Sequence, residues 1–134
     1  MTGLETSELL CAQGNKVTIV EMADAIAPGA YFQHVDDAIP KLKAEDTTFL
    51  TSSKLVKINP NGIEIENTKS GATSSIAVDF VVLSMGCRPD TSLYDELINT
   101  KDRDYKVYKI GDCVKVGRIA NATESAYQLA IKLN

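Results

Sequence analysis

The sequence predicts an α/β fold in which an incomplete parallel sheet, flanked by helices, carries an inserted three-stranded antiparallel meander. Three observations carry this reading. A helical run opens at Gly3, ends near Gln13-Gly14-Asn15, and is followed by an apolar strand, Lys16 to Val20, closing on Glu21 eighteen positions after Gly3. From Leu55 to Val78 the apolar spacing changes from three-and-four to alternation, as in strands covered on one face. Phe80-Val81-Val82-Leu83-Ser84-Met85 then returns to a nearly unbroken apolar run, as in a strand covered on both faces. A glycine at a helix start, a helix, a glycine turn and a strand ending in an acid form the second half of a Rossmann βαβ unit. The parallel part is therefore Rossmann-like and lacks its first strand, because the first two glycines of Gly-x-Gly-x-x-Gly would fall before Met1.

Leu4, Leu9, Leu10 and Cys11 give Gly3 to Ala12 an apolar stripe, with Glu5 and Glu8 on other faces. Gly14 suits the left-handed position that ends a helix. Met22 to Ala30 reads as a small-residue loop around Pro28-Gly29. Tyr31 to Ala44 carries Phe32, Val35, Ile39 and Leu42 at helical spacing, and Pro40 is expected to kink or shorten that helix. Thr47 to Thr51 reads as a short strand. The meander strands are Leu55 to Ile58, Ile63 to Glu66 and Ser75 to Val78, with turns at Asn61-Gly62 and Lys69-Ser70-Gly71. Gly86-Cys87-Arg88-Pro89-Asp90 breaks the strand at Phe80, and Thr91 is placed to cap a short helix through Ile98. Tyr105 to Ile110 is a further strand, ending in Gly111-Asp112. Arg118 to Leu133 is a helix with Ile119, Ala122, Ala126, Leu129, Ala130 and Leu133 inward.

Composition narrows the function. With 44% hydrophobic and 24% charged residues in 134, the chain has the make-up of one soluble globular domain. Fourteen Lys and Arg against eighteen Asp and Glu give a net charge of −4, which argues against a nucleic-acid surface. No apolar run is long enough for a membrane span, and no signal peptide opens the chain. Cys11, Cys87 and Cys113 are odd in number and widely spaced, which reads as buried thiols in a reducing, cytoplasmic setting rather than disulfides or metal ligands. His34 reads as a helix-surface or packing residue, and Asp36, Asp37, Glu45 and Asp46 as a solvated face.

Gly3 and Glu21 carry the case for a nucleotide site. A helix N-terminus offers unpaired N–H groups to a pyrophosphate, and a glycine at position 3 lets the helix approach its strand closely. Glu21, at the carboxyl end of the next strand, can accept both hydroxyl hydrogens of an adenine ribose. A 2′-phosphate there would meet like charge, and no Lys or Arg follows until Lys41, so NAD(H) is favoured over NADP(H).

The order of Gly3-Leu4-Glu5, Lys16 to Glu21, Ser84-Met85-Gly86-Cys87-Arg88-Pro89 and Val107 to Cys113 resembles flavoproteins with two dinucleotide-binding domains. Ala27-Pro28-Gly29-Ala30-Tyr31-Phe32 and Lys115 to Ala122 are similar to one branch, the NADH:flavin oxidoreductases of the 2,4-dienoyl-CoA reductase and enoate reductase kind. The resemblance covers the whole chain but only the C-terminal fifth of such an enzyme. It implies that residues 1–85 belong to an NAD(H)-binding domain lacking its first strand, and residues 86–134 to the C-terminal part of an FAD-binding domain. It implies that Gly3 is the third fingerprint glycine, Glu21 the ribose-binding acid and Gly86 the crossover to the FAD domain. Gly111 and Asp112 match the pair meeting the FAD ribityl and pyrophosphate region. FMN and an iron–sulfur cluster belong, on this resemblance, to an N-terminal part outside the sequence. The 134 residues alone are expected to be catalytically silent, and to self-associate through open sheet edges as a homodimer unless Tyr105 to Ile110 fills the gap within its own chain.

Overall fold

The computed structural model describes residues 2–133, which fall into two units, one running to Ser84 and the other beginning at Met85. The α/β class is as the sequence predicts. In the first unit, helix α1 (Thr2–Ala12) precedes strand β1 (Thr18–Val20), and helix α2 (Phe32–Ala44) precedes strand β2 (Thr48–Leu50). β1 and β2 pair in parallel, with Thr18 opposite Thr48 and Val20 opposite Leu50.

The inward face of α1 is Leu4, Ser7 and Cys11. Leu9, expected inside, is 58% exposed. Ser7 takes an inward place because its hydroxyl donates to the Gly3 carbonyl at 2.8 Å, which satisfies it without water. Gly14 ends the helix at φ +82°, and the Gly14 and Asn15 N–H groups close back on Cys11 and Leu10. Helix α2 buries Ala38 and Leu42 and leaves Phe32 exposed. It continues through Pro40 to Ala44, so Pro40 does not shorten it. Pro40 and Asp36 both lie on the exposed face, so water can serve the Asp36 carbonyl that the missing N–H would have bonded. Leu4, Cys11, Val17, Ala38 and Leu42 form the buried cluster, with Ile19, Val35 and Phe49 packed against it.

Strands β3 (Ser53–Asn59), β4 (Gly62–Asn67) and β5 (Thr73–Ile76) form the antiparallel meander in the order β3-β4-β5. The β3–β4 turn is Pro60-Asn61, since Asn59 pairs with Gly62 and the glycine is the first residue of its strand rather than part of the turn. A bulge falls between Leu55 and Lys57. The β4–β5 turn is tied by the Asn67 side chain, whose Oδ1 accepts from the backbone N–H groups of Lys69 and Ser70. Ile63 and Ile65 are the buried face of this sheet.

Two expected strands are not strands. Phe80 to Met85 pairs with nothing among the described residues, and Phe80 (91%), Val82 (60%) and Met85 (77%) are exposed. The run was expected to be a strand covered on both faces, and it is unpaired and largely exposed. A strand, however, needs a neighbour on its edge, and β1 is paired only with β2. Among the described residues, Tyr105 to Ile110 belongs to no sheet either.

In the second unit, helix α3 (Ser92–Asn99), a single 3₁₀ turn (Gly111–Cys113) and helix α4 (Ile119–Leu133) are the regular elements. No described residue here is buried. Helix α4 turns Ala122, Ser125, Ala126 and Leu129 partly inward, whereas Ile119, Ala130 and Leu133, expected inside, are exposed. Thr91 sits before α3, but its hydroxyl donates to Asp95 and the capping acceptor is Asp90, which takes the Ser92 N–H at 2.9 Å. That backbone bond, together with the Ser92 side chain, holds the Asp90 carboxyl below its ordinary value of 3.8. Lys109 lies over the Tyr94 ring at 4.7 Å. Of the thiols, Cys11 alone is buried; Cys87 is exposed and Cys113 is intermediate, because the unit that holds them has no core.

Candidate functional site

The residues singled out from the sequence divide between the units. Gly3 and Glu21 lie in the first, and Gly86, Gly111 and Asp112 in the second.

Gly3 stands in the first turn of α1. A Cβ there would sit 3.2 Å from Ser84 Cβ and 3.3 Å from Ser84 Oγ, so this glycine marks the place where the helix meets the 80–85 segment closely. Glu21 follows directly on β1 and is half-buried. Its backbone continues the ladder: its N–H donates to the Leu50 carbonyl at 2.8 Å, and its carbonyl accepts from Ser53 at 2.9 Å. Its carboxylate Oε1 accepts the Ala23 N–H at 3.0 Å. A carboxylate has about four acceptor positions, so one backbone bond orients the group and leaves capacity for two hydroxyls. Glu21 therefore fits a ribose diol.

Gly86 adopts φ +77° in an exposed loop with nothing near its missing Cβ. Gly111 (φ +64°) opens the 3₁₀ turn, donates its N–H to Ser125 Oγ at 3.0 Å, and has Ala122 Cβ at 3.4 Å from where its own would be. Asp112 Oδ1 accepts the Gly117 N–H at 3.2 Å. At the start of α4 the Arg118 N–H donates to Asn121 Oδ1 at 2.8 Å. An acid and a glycine turn beside a helix N-terminus suit a sugar hydroxyl and a phosphate, so these residues fit one side of a flavin dinucleotide. A groove of 630 Å³ runs between the Val107–Gly117 segment and α4 and includes Gly111 and Asn121 in its wall.

Ala23, Ser125 and Asn121 contribute to these arrangements and were not singled out from the sequence. Ala23 acts through its backbone, which no residue type signals. Ser125 and Asn121 reach back from α4, and only the folded turn brings them to Gly111 and Arg118. Among the described residues no cluster of His, Cys, Asp or Glu could hold a metal ion, and no helix is long and apolar enough to cross a membrane.

Residues 1–128 match the family model of the pyridine nucleotide-disulphide oxidoreductases. The chain belongs to that family, whose members bind nicotinamide dinucleotides. It is 33% identical over 134 residues to a cinnamate reductase of Clostridium sporogenes, covering 97% of this chain and 19% of that protein. It is 31% identical over 131 residues to a bilirubin reductase of Mediterraneibacter gnavus, covering 97% of this chain and 20% of that protein. A 2-naphthoyl-CoA reductase solved with 2-naphthoyl-CoA superposes with a TM-score of 0.72 at 26% identity, over 96% of this chain and 19% of that one. Histamine dehydrogenase from Rhizobium sp. 4-9, at 20% identity and a TM-score of 0.79 over 98% of this chain and 21% of its own, shares the fold. The chain thus spans about a fifth of the length of the cinnamate and bilirubin reductases. These likenesses are those of a segment of a flavoprotein resembling the enoate and dienoyl-CoA reductases.

Proposed function

We propose that this chain supplies NAD(H)- and FAD-binding parts of a cytoplasmic, flavin-dependent NADH oxidoreductase acting on C=C bonds. Residues 1–85 are the NAD(H) side and residues 86–134 the FAD side. The observation that carries the reading is the half-buried Glu21 carboxylate at the end of β1, oriented by the Ala23 N–H. The C=C substrate class is favoured by two relatives, because cinnamate and 2-naphthoyl-CoA both contain conjugated C=C bonds. The cofactors supply hydride transfer from NADH to FAD. Here the protein's part is to hold them: Glu21 on the adenine ribose, Gly3 at the close helix approach, Gly86 at the crossover, Gly111 and Asp112 at the flavin dinucleotide. FMN and an iron–sulfur cluster would fall outside these residues, and the 134-residue chain alone is expected not to consume NADH in the presence of cinnamate.

Titration calorimetry tests the nucleotide reading. The chain should bind NADH more tightly than NADPH. Glu21→Ala should weaken NADH by about 1.5–3 kcal/mol, the contribution of hydrogen bonds to a charged group, and narrow the gap to NADPH. Equal affinity of the unmutated chain for both nucleotides overturns the role of Glu21.

A second reading concerns the 134-residue chain by itself. The parallel sheet has two strands, and the unpaired 80–85 segment exposes Phe80, Val82 and Met85. Unpaired backbone and apolar side chains together favour pairing with a second copy. A homodimer is the expected species, and light scattering that finds a 14.5 kDa particle at high concentration excludes it.

A further inference from the structure

We propose that Ser52 is a positioning residue for the Glu21 carboxylate, acting through Ala23. Ser52 lies at the corner between β2 and β3, 6% exposed, with its backbone at φ +49°. Residues other than glycine meet a steric penalty in this left-handed region, and this one is held there by its neighbours. Its N–H donates to the Ala23 carbonyl at 2.7 Å, and its own carbonyl accepts the Thr68 N–H at 2.8 Å. The next residue, Ser53, donates its N–H to the Glu21 carbonyl at 2.9 Å.

The left-handed conformation explains why both bonds exist. In an extended strand successive N–H groups point to opposite edges. One left-handed residue turns two consecutive N–H groups toward the same side, and here that side is the Glu21–Ala23 segment. Ser53 fixes Glu21 and Ser52 fixes Ala23, so the Ala23 N–H is aimed at Glu21 Oε1, 3.0 Å away. A residue that resists left-handed backbone would turn one of the two donors away, release Ala23 and leave the carboxylate free to rotate. The consequence for nucleotide choice rests on Glu21 being the ribose-binding acid; the positioning itself does not.

Amide hydrogen exchange at Ala23 reads the positioning in the nucleotide-free, 134-residue chain, with Glu21→Ala as the reference lacking the acceptor. Ser52→Gly should keep Ala23 as protected as in the unmutated chain. Ser52→Val should lower its protection by about tenfold or more, the fold-change that the left-handed penalty implies, with Ser52→Ala between them. The NADH-to-NADPH affinity ratio should fall in the same order. If Ser52→Val does not fold, the serine, glycine and alanine forms still define the order. The proposal is overturned if Ser52→Ala and Ser52→Val lower the melting temperature while Ala23 exchanges as in the unmutated chain. If no form binds NADH but Ala23 exchange follows the series, the positioning stands and the ribose role of Glu21 fails.

Discussion

Replacing Gly62 by alanine is expected to destabilise the meander by about 3–5 kcal/mol, the upper range for single substitutions, through two mechanisms acting together. Gly62 is buried, opens β4 and adopts φ +145°, a backbone conformation that L side chains rarely take. A Cβ at this position would also lie 2.1 Å from the Ile76 carbonyl oxygen and 2.9 Å from Ala77 Cα, both backbone atoms of the neighbouring β5 end. Backbone cannot swing aside as a side-chain tip can, so the β4–β5 register at Ile63 and Ile76 must open. Gly71 is the internal control. It lies in the β4–β5 turn at φ +71° with nothing within 4 Å of its missing Cβ. Gly71→Ala should therefore cost only the left-handed term, about 1–2 kcal/mol. Urea denaturation of the two variants measures the difference, and equal losses would mean that close approach at Gly62 contributes nothing.

Gly62 also shows how far the sequence could be read. Asn61-Gly62 between alternating apolar runs announces a hairpin, and the hairpin is present. Its turn is shifted to Pro60-Asn61 because the glycine is needed inside the strand, where β5 presses on it. The pattern encodes that a chain reversal occurs; the contact across to β5 decides which residue needs the freedom. The same division holds elsewhere. Helices α1, α2 and α4 and the first two meander strands were legible from spacing, since local periodicity sets which face can be buried; α3 was read from Thr91 before it, and β5, expected at Ser75 to Val78, runs from Thr73 to Ile76. The strands expected at Phe80 and Tyr105 were not legible as non-strands, because a β-strand's existence depends on a partner that its own residues do not specify. Pro40 did not shorten its helix, and its exposed position lets water replace the lost bond, a fact of burial rather than of residue type.

The candidate site divides similarly. The Glu21 side chain could be singled out because an acid at the end of a βαβ strand has a chemical purpose visible in its type and spacing. Its orientation comes from the Ala23 N–H and the Ser52 corner, which are backbone features. Neither alanine nor serine carries a signal for them. Gly111 and Asp112 were legible as a strand-end pair, but the hydroxyl that receives the Gly111 N–H belongs to Ser125, fourteen residues away.

Leu42→Ala is expected to cost the first unit about 2–5 kcal/mol, the range for deleting a fully buried leucine side chain where the surroundings cannot collapse. Leu42 is 1% exposed and belongs to a buried cluster with Leu4, Cys11, Val17 and Ala38. So small a core has little to repack with, and a domain of ordinary stability has only about 5–15 kcal/mol in total. The functional effect follows from position. Val17 leads directly into β1, which ends at Glu21, so loosening the cluster loosens the strand that presents the carboxylate. Leu42→Met, which conserves volume, should cost less than about 1.5 kcal/mol and leave NADH affinity intact. Leu9→Ala, on the 58% exposed side of α1, should stay within about 0.5 kcal/mol. Thermal melts followed by circular dichroism, with NADH titration below each midpoint, separate the two effects. If Leu42→Ala melts like Leu9→Ala, the α1–α2 cluster is not what holds β1 in place, and the support of Glu21 must come from the β2–β3 corner alone.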